Sequence, residues 1–259
     1  MIDALYISAS GLRGEQKQID VISNNVANMQ TPGFKRSRVN FAEVATAAVA
    51  AQSSEPELTT QSLMRGNGAR VVSTSTLFSP GEMRQTQGAL DLAIDGNGFF
   101  ELEAADGSTV YTRDGQFRLD DEGFLASIHG QRLAHSVQIP ADAKDIRIDA
   151  KGEITALLAG DEARSVLGDI ELATFAAPDA LVAIGNNRYV PNEASGTVSY
   201  GRPNEPGFGQ LQQGYVELAN VEMIDEMSAL VLAQRAYQLN ARVLQAADQI
   251  LETINNLRR

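Results

Sequence analysis

The sequence predicts an α+β protein, mainly β, in which long N- and C-terminal coiled-coil-type helices pair with each other and a central antiparallel β domain lies between them. Two observations support this prediction. Apolar residues recur every seven positions near both chain ends, which is the period of a narrow helical seam. Between the ends, short strand-like runs alternate with Asp- and Gly-rich turns about every 8–12 residues, as in antiparallel β domains.

The first predicted helix occupies the N-terminal end of the chain. Its apolar residues form one narrow seam, and asparagines lower the helix propensity after residue 23. The sequence Thr31-Pro32-Gly33 favours the end of the helix, because proline lacks the N–H that a helical hydrogen bond needs. We assign residues 1–41 to the N-terminal helix of an inner coiled-coil domain. The seam residues are Leu5, Leu12, Ile19 and Val26.

Residues 42–70 are predicted to connect this helix to the β domain. The segment has no clear helical or strand period and is most polar over residues 52–57, which favours a loosely ordered connector.

The β domain is predicted to span residues 71–214. Asp95-Gly96-Asn97-Gly98 lies between two apolar runs and predicts a hairpin turn, and Asp114-Gly115 predicts a second one. Further turns are expected at residues 120–123 and 149–152, where Asp and Gly again interrupt alternating residues.

The second predicted helix, residues 215–259, repeats the pattern of the first and completes the inner coiled-coil domain. Asn240 interrupts its seam, at a position where a polar side chain can fix the register of packed helices. The seam residues are Met223, Leu230, Tyr237, Leu244, Leu251 and Ile254.

Both seams need partners, because tertiary packing rather than intrinsic propensity holds most helices in water. Burial of each Leu or Ile contributes about 1.5–3 kcal/mol, so four or five in each helix are too many to leave exposed. Two arrangements satisfy this requirement. The helices pack on the β domain within a monomer, or they pack against each other and against the helices of other copies. The narrow seams at opposite ends of the chain favour the second arrangement.

The composition excludes several functional classes. The chain has 33 acidic and 21 basic residues and a formal net charge of −12, which argues against nucleic-acid binding. It has no cysteine, which excludes disulfides, thiolate catalysis and cysteine-bound metal. The first residues lack the features of a cleaved secretory signal, and no apolar stretch approaches the ~20 residues of a membrane span. We therefore expect no membrane insertion.

No motif points to catalysis, a cofactor or a metal. His129 and His135 are the only histidines, and their spacing favours ordinary turn positions over a metal pair. Asp95-Gly96-Asn97-Gly98 begins like a calcium loop, but Phe99 stands where a further oxygen ligand is needed. The basic run at residues 35–38 is predicted to lie in a solvated loop or to contact an acidic neighbouring molecule.

Four stretches of the chain resemble the bacterial flagellar axial proteins, which form the rod and hook. The first, residues 23–35, is an Asn-rich helix end followed by Thr-Pro-Gly-Phe-Lys, in which Met29 and Gln30 depart from the usual residues. The others are residues 91–100, 111–117 and 213–240. The matching positions of the first and last stretches include Asn24, Asn25, Asn28, Thr31, Gly33, Phe34, Gln234, Arg235 and Asn240.

This resemblance covers nearly the whole chain. It implies a non-enzymatic structural subunit that needs no cofactor and polymerises helically into a hollow shaft, which transmits torque from motor to hook. The implied partners are further copies of the chain, other rod proteins, the hook protein, the flagellar export apparatus and the surrounding basal-body rings. The implied location is the basal body, as a periplasmic shaft that is exported without a cleaved signal peptide.

The length and the connector resemble the distal rod members of the family most closely, and a proximal rod subunit is the alternative within the family. The alternative outside it is a secreted β-domain enzyme or glycan-binding protein whose helices pack locally. Phe99, Phe100 and Tyr111 would be its glycan contacts, although a place in the core suits these rings better.

Overall fold

The computed structural model describes residues 2–47, 64–104, 107–135, 137–158 and 163–257. These residues divide into two compact units. The terminal unit contains residues 2–26, 37–47, 64–75 and 223–257, and the β unit contains residues 27–36 and the described part of residues 76–222.

Two long helices form the terminal unit together with a two-stranded ribbon. Its elements are α1 (Ile2–Ala27), β1 (Ser37–Ala47), β2 (Met64–Thr76) and α2 (Met223–Leu257). Helix α1 is shorter than the predicted 1–41, because the chain turns after Ala27 and becomes a strand at Ser37. Neither helix, over the residues described, contains a stretch that is long and apolar enough to cross a membrane.

Parts of the predicted connector are strands. Within residues 42–70, β1 reaches Ala47 and β2 begins at Met64, and residues 48–63 lie outside the described part of the chain. Side chains help to hold the ribbon, since Asn40 Nδ2 donates to the Oγ atoms of Ser73 and Ser75, both at 3.1 Å. Small polar residues that show no clear period therefore support a β ribbon here.

Helix α2 also begins later than predicted. Tyr215–Glu217 forms a short strand that pairs antiparallel with Met83–Gln85, and the helix starts at Met223. Gly214 has a φ of +75°, which lets the chain turn sharply between its two flanking strands. The strand after this turn buries Val216 and its neighbour Glu217.

The β unit consists of short strands, and all of their pairings are antiparallel. The first eight strands are β3 (Met83–Gln85), β4 (Leu92–Asp95), β5 (Phe100–Glu103), β6 (Thr109–Thr112), β7 (Phe117–Leu119), β8 (Leu125–Ser127), β9 (Arg132–Leu133) and β10 (Lys144–Ile148). The others are β11 (Glu153–Leu157), β12 (Arg164–Asp169), β13 (Leu172–Phe175), β14 (Val182–Gly185), β15 (Arg188–Val190), β16 (Val198–Gly201), β17 (Gln210–Gln213) and β18 (Tyr215–Glu217). Pro178–Ala180 and Glu193–Ser195 form single 3-10 turns.

The largest sheet of the β unit has seven strands in the order β14-β15-β6-β5-β9-β8-β7. A three-stranded sheet, β10-β11-β12, and the pairs β13-β16, β17-β4 and β18-β3 complete the unit. Strands from the beginning and the end of this region therefore pair with each other, as β4 does with β17.

Two of the predicted hairpins are not formed. Strand β4 pairs with β17, whereas β5 pairs with β6 and β9, so the turn between β4 and β5 joins different sheets. Likewise, β6 pairs with β5 and β15, whereas β7 pairs with β8. In the first turn, Gly96 and Gly98 have φ values of +116° and +144°, and their carbonyl oxygens accept hydrogen bonds from Arg113 instead of closing a two-residue turn.

The other two predicted turns do connect hairpins, β7-β8 and β10-β11. In each, an aspartate at the start of the turn accepts two backbone N–H groups. Asp120 Oδ1 accepts those of Glu122 and Phe124, and Asp149 Oδ1 accepts those of Lys151 and Glu153. These turns were predictable because their stabilising contacts are local in sequence.

Adjacent Phe99 and Phe100 enter separate apolar clusters, as expected where successive side chains alternate in direction. Phe100 packs edge-on against Phe117 in the larger cluster, with a ring separation of 5.1 Å. Phe99 belongs to a second, aromatic cluster with Tyr111 and Tyr189. All three rings considered for glycan contact are therefore buried, and they serve the core of the β unit.

We predict that truncating Ile154 destabilises the β unit. Ile154→Ala removes a fully buried side chain from β11 and leaves a cavity, so the free energy of unfolding should fall by about 2–5 kcal/mol. Val166→Ala on the paired strand β12 is the matched control; this side chain is 61% exposed, and we expect a change within about 0.5 kcal/mol. Urea denaturation followed by circular dichroism measures both values, and equal losses would contradict the assigned core.

Candidate subunit interface

The two long helices of the terminal unit run antiparallel. Asn25 Nδ2 on α1 lies 3.2 Å from Glu226 Oε2 on α2. Fourteen residues before Asn25, a Cβ on Gly11 would lie 2.9 Å from the side-chain nitrogen of Asn240, which is fourteen residues after Glu226. Equal steps in opposite directions define an antiparallel pair that keeps one register over about 21 Å of helix. A side chain at position 11 would therefore displace the Asn240 side chain.

Asn25 fixes one end of this helix pair. Its Nδ2 atom donates to the Ser37 carbonyl at 2.9 Å as well as to Glu226, and its Oδ1 atom accepts the Ser37 N–H at 3.0 Å. Asn25 is 1% exposed and Glu226 is 0% exposed. Because buried polar groups cost stability when they lose their partners, this cluster favours one register of the helices over all others.

The predicted seam residues are only partly covered within the terminal unit. The half-buried ones are Leu5, Leu12, Ile19, Val26, Leu230, Leu244 and Leu251. The exposed ones are Met223, Tyr237 and Ile254. The most buried side chains of the two helices are Ser8, Ile22, Asn25, Glu226 and Ala233. Apart from Ile22, the best covered side chains of the helices are thus small or polar residues and not the predicted leucines.

Helix α2 has a second apolar seam, which is exposed. From Leu232 onwards, apolar residues follow at alternating steps of four and three, the heptad spacing of a coiled coil. Two residues along a helix correspond to a rotation of about 200° and one residue to about 100°, so Leu232 points away from Leu230, and Val243 points to the side of Leu244. Its large residues, which are 49–68% exposed, are Leu232, Leu239, Val243 and Ile250. A continuous exposed apolar stripe is typical of a protein interaction site.

A buried ion cluster joins three distant parts of the chain in the β unit. The Glu217 carboxylate accepts a hydrogen bond from Lys35 Nζ at 2.6 Å and lies 3.1 Å from Arg113 Nε. None of the three side chains is more than 4% exposed. Lys35 also donates to the Ser79 carbonyl, and Arg113 donates to two backbone carbonyls of the β4-β5 turn.

This cluster contains two cations and one anion. Burial lowers the pKa of Lys35, an effect that the charge of Glu217 opposes and the charge of Arg113 reinforces. Burial also lowers the pKa of Arg113, again opposed by Glu217. The Glu217 carboxylate is therefore the group that favours the charged form of both cations in the interior. Loss of this single anion would leave two positive charges facing each other away from water.

The Pro-Gly turn brings Lys35 to this cluster. Gly33 has a φ of +69°, its N–H donates to the Glu217 carbonyl at 2.8 Å, and a Cβ there would lie 2.6 Å from the backbone of Asp114. Asn187 Nδ2 holds the turn from another side through a 2.8 Å hydrogen bond to the Pro32 carbonyl. No residue with a side chain fits at position 33 without moving the Asp114 backbone.

The motif residues thus have different environments. Asn25 and Asn240 lie in the helix pair, and Gly33 lies at the ion cluster. Thr31 Oγ1 is 3.4 Å from Asn28 Oδ1, in the turn that follows α1. The remaining motif residues are Phe34, which is half-buried, and Asn24, Gln234 and Arg235, which are exposed on the helices.

The sequence interpretation missed the charged residues of both clusters. A solvated position is wrong for Lys35, which is buried against an acid 182 residues away. Local charge patterns could not reveal that pairing. The signal was present in the family-like stretches, which contain Lys35, Arg113, Glu217 and Glu226 beside the positions that were singled out.

The other candidate positions form no reactive arrangement in the described chain. His129 and His135 are exposed in turns on either side of β9. No group of three or more His, Asp or Glu side chains among the described residues could hold a metal ion. The described residues instead form packing surfaces and internal ion pairs.

Three family models match the chain. The model described as flagella basal body rod protein matches residues 5–35. The flagellar hook protein FlgE/F/G D1 domain matches residues 93–156, and the flagellar basal body rod FlgEFG protein C-terminal model matches residues 212–257. Each matched segment contributes one member of the buried ion cluster, namely Lys35, Arg113 and Glu217.

Curated relatives match along the whole chain. The flagellar basal-body rod protein FlgG of Caulobacter vibrioides is 36% identical over 99% of this chain and 100% of its own length. FlgG of Bacillus subtilis is also 36% identical, over 100% of both chains. The flagellar hook-basal body complex protein FlhP of Bacillus subtilis is 28% identical over the same extent.

We predict that Asn25→Asp destabilises the terminal unit, whereas Asn24→Asp does not. The first change removes a donor to Glu226 and places a second carboxylate beside it in a buried site, which should cost about 3 kcal/mol or more. The second makes the same chemical change one residue away on an exposed position, where we expect a change within about 0.5 kcal/mol. Chemical denaturation and limited proteolysis of α2 measure the difference. Equal behaviour of the two variants would contradict the Asn25 contact.

We also predict an unequal response within the ion cluster. Glu217→Gln leaves two buried cations without an anion and should lower the free energy of unfolding by about 3–5 kcal/mol. Lys35→Met leaves a neutral Glu217–Arg113 pair and should cost clearly less, about 1–3 kcal/mol. The exposed Lys144→Met is the control for loss of a lysine charge. A larger loss for Lys35→Met than for Glu217→Gln would refute this description of the cluster.

Proposed function

Because this chain belongs to the flagellar basal-body rod protein family, we propose that it is a structural subunit of the distal rod. It polymerises helically into a hollow drive shaft that transmits torque from the motor to the hook. The observation that supports this most directly is the exposed second seam of α2, a coiled-coil surface that no described part of the chain covers.

This seam supports polymerisation because a single molecule leaves its large apolar side chains exposed to water, which is unfavourable. Burial of each of its four large apolar side chains contributes about 1.5–3 kcal/mol, provided that another helix supplies the facing surface. The first seam of α2 already faces α1 in the same chain, so one molecule cannot cover both sides of α2 with α1. Further copies supply the missing helices, and α1 and α2 together form the inner layer of the tube.

The neighbours of the chain follow from this role. The ends of the shaft meet other rod proteins and the hook protein, and its outside meets the surrounding basal-body rings. The subunits reach the periplasm through the flagellar export apparatus without a cleaved signal peptide. No active site is required, since torque passes through many parallel contacts between subunits.

The distal rod is preferred to the proximal rod because FlgG relatives from several bacteria match this chain over nearly its full length. A tagged copy should therefore label the part of isolated basal bodies that lies next to the hook. Label confined to the motor end would favour a proximal rod subunit instead.

We predict that Leu239→Lys combined with Val243→Lys prevents assembly without unfolding the chain. Both side chains are exposed in the single molecule, so the helix content and unfolding transition should be unchanged. Rod formation should fall at least about tenfold, because two anchors of the seam become charged. Electron microscopy of basal bodies and swimming in soft agar measure the effect.

The control is Gln238→Lys combined with Gln245→Lys, which adds the same two positive charges at exposed positions outside the seam. Leu12→Asp and Leu244→Asp provide a second comparison, because these half-buried seam residues should affect both the single molecule and the shaft. Normal shafts in cells that carry only the Leu239→Lys, Val243→Lys chain would count decisively against this function.

A further inference from the structure

The terminal unit contains a groove between α1 and the β1-β2 ribbon. It has a volume of about 510 Å³ and lies over residues 6–17 of α1, on the face where β2 crosses the helix closely. A Cβ on Gly68 would lie 2.3 Å from Ser10 Oγ, and one on Gly14 would lie 2.8 Å from the Phe41 ring. These close contacts hold the ribbon against α1 beside the groove.

The lining of the groove is apolar and basic. Tyr6, with 61% exposure, contributes an aromatic ring, and Val44 and Val71 come from the ribbon. Arg13, Lys17 and Arg70 contribute three positive charges, and none of the described lining residues is acidic. In a chain with a net charge of −12, three cations around an apolar floor favour an acidic partner.

The start of α2 has the complementary chemistry. Ile224 is 79% exposed, and Met227 beside it is 55% exposed. Glu222 and Asp225 are exposed acids in the same turn. An apolar groove rimmed by arginine and lysine is complementary to large apolar side chains that are flanked by carboxylates.

One chain cannot place its own α2 start in its own groove. Gly11, near the middle of the groove segment, lies opposite Asn240, and Ile224 is sixteen residues from Asn240 along α2. At 1.5 Å per residue this separation is about 24 Å. The antiparallel register fixed by Asn25 and Glu226 prevents the helices from sliding to close this distance.

We propose that the groove of one copy binds the start of α2 of a second copy, which is displaced by about 24 Å along the helix direction. This inference rests on the proposed polymerisation and names one of its contacts. The contact joins two different surfaces, so it is heterologous and continues from copy to copy instead of closing a dimer. Arg13 and Lys17 face the carboxylates of Glu222 and Asp225, while Ile224 and Met227 occupy the apolar floor.

Disulfide crosslinking tests this contact directly, because the chain has no cysteine of its own. Copies with Lys17→Cys and copies with Asp225→Cys are expressed together, and the isolated basal bodies are oxidised. We expect crosslinked dimers that contain one copy of each kind. The control replaces Lys17→Cys by Lys151→Cys, an exposed lysine in the β unit, and should give none.

Charge exchange provides an independent readout. Arg13→Glu with Lys17→Glu should reduce rod formation at least about tenfold, as should Glu222→Lys with Asp225→Lys. The four changes together should restore most of it, because the attraction is re-formed with the signs reversed. Purified variants with unchanged unfolding transitions show that the single molecule is intact.

The outcomes separate this inference from the proposed function. Normal shafts without the mixed dimer, or a crosslink within one chain that carries both cysteines, would overturn the groove contact and leave the rod assignment standing. If the variant with all four charge changes did not restore rod formation, the groove contact would also be overturned. Absence of the chain from basal bodies would overturn both.

Discussion

The Glu217 carboxylate imposes the strongest constraint on the β unit, because a buried anion between two buried cations allows little freedom of position. Lys35 precedes the first strand of the chain and Glu217 lies in the last. Both ends of this region must therefore be in place before the charge of Lys35 is balanced by Glu217. Arg113 adds the β4-β5 turn to the same point through two backbone carbonyls. Bringing Lys35 and Glu217 together closes a long loop, which is slow and costly in entropy. Once formed, the cluster connects the three segments that match the family models.

In the helix pair, polar residues fix the register and apolar residues remain available for packing. Asn25 and Glu226 fix the register, and Gly11 and Asn240 bring the axes close, whereas the leucines of the predicted seams remain half covered. A pair built only of leucines would be more stable but could shift by a heptad at small cost. The terminal unit therefore leaves apolar surface for other helices while its own geometry stays defined.

Much of this architecture was predictable because its causes are local. Heptad spacing gave both helices, and the Asp120 and Asp149 turns gave two hairpins whose hydrogen bonds span four residues at most. The pairing of β4 with β17 and of β18 with β3 was not predictable, since each joins strands more than 100 residues apart. The burial of Lys35 was not predictable for the same reason, since its charge favours a solvated position unless its distant partner Glu217 is known. The heptad period predicts the seams, but the division of α2 into a covered and an exposed face required the position of α1.

The exposed seam of α2 cannot by itself fix the register between neighbouring copies. Its heptad positions from Leu232 to Ile250 are all apolar, and no buried polar group penalises a shifted pairing there. A shaft that transmits torque must nevertheless resist sliding between subunits, so the register between copies has to be set by other contacts. Each unpaired polar or charged group in a mismatched register costs about 1–3 kcal/mol, which is enough to reject the shifted states when several act together. Surfaces that combine charge with a defined shape, such as the groove over residues 6–17 and the start of α2, are the parts of the terminal unit suited to this task.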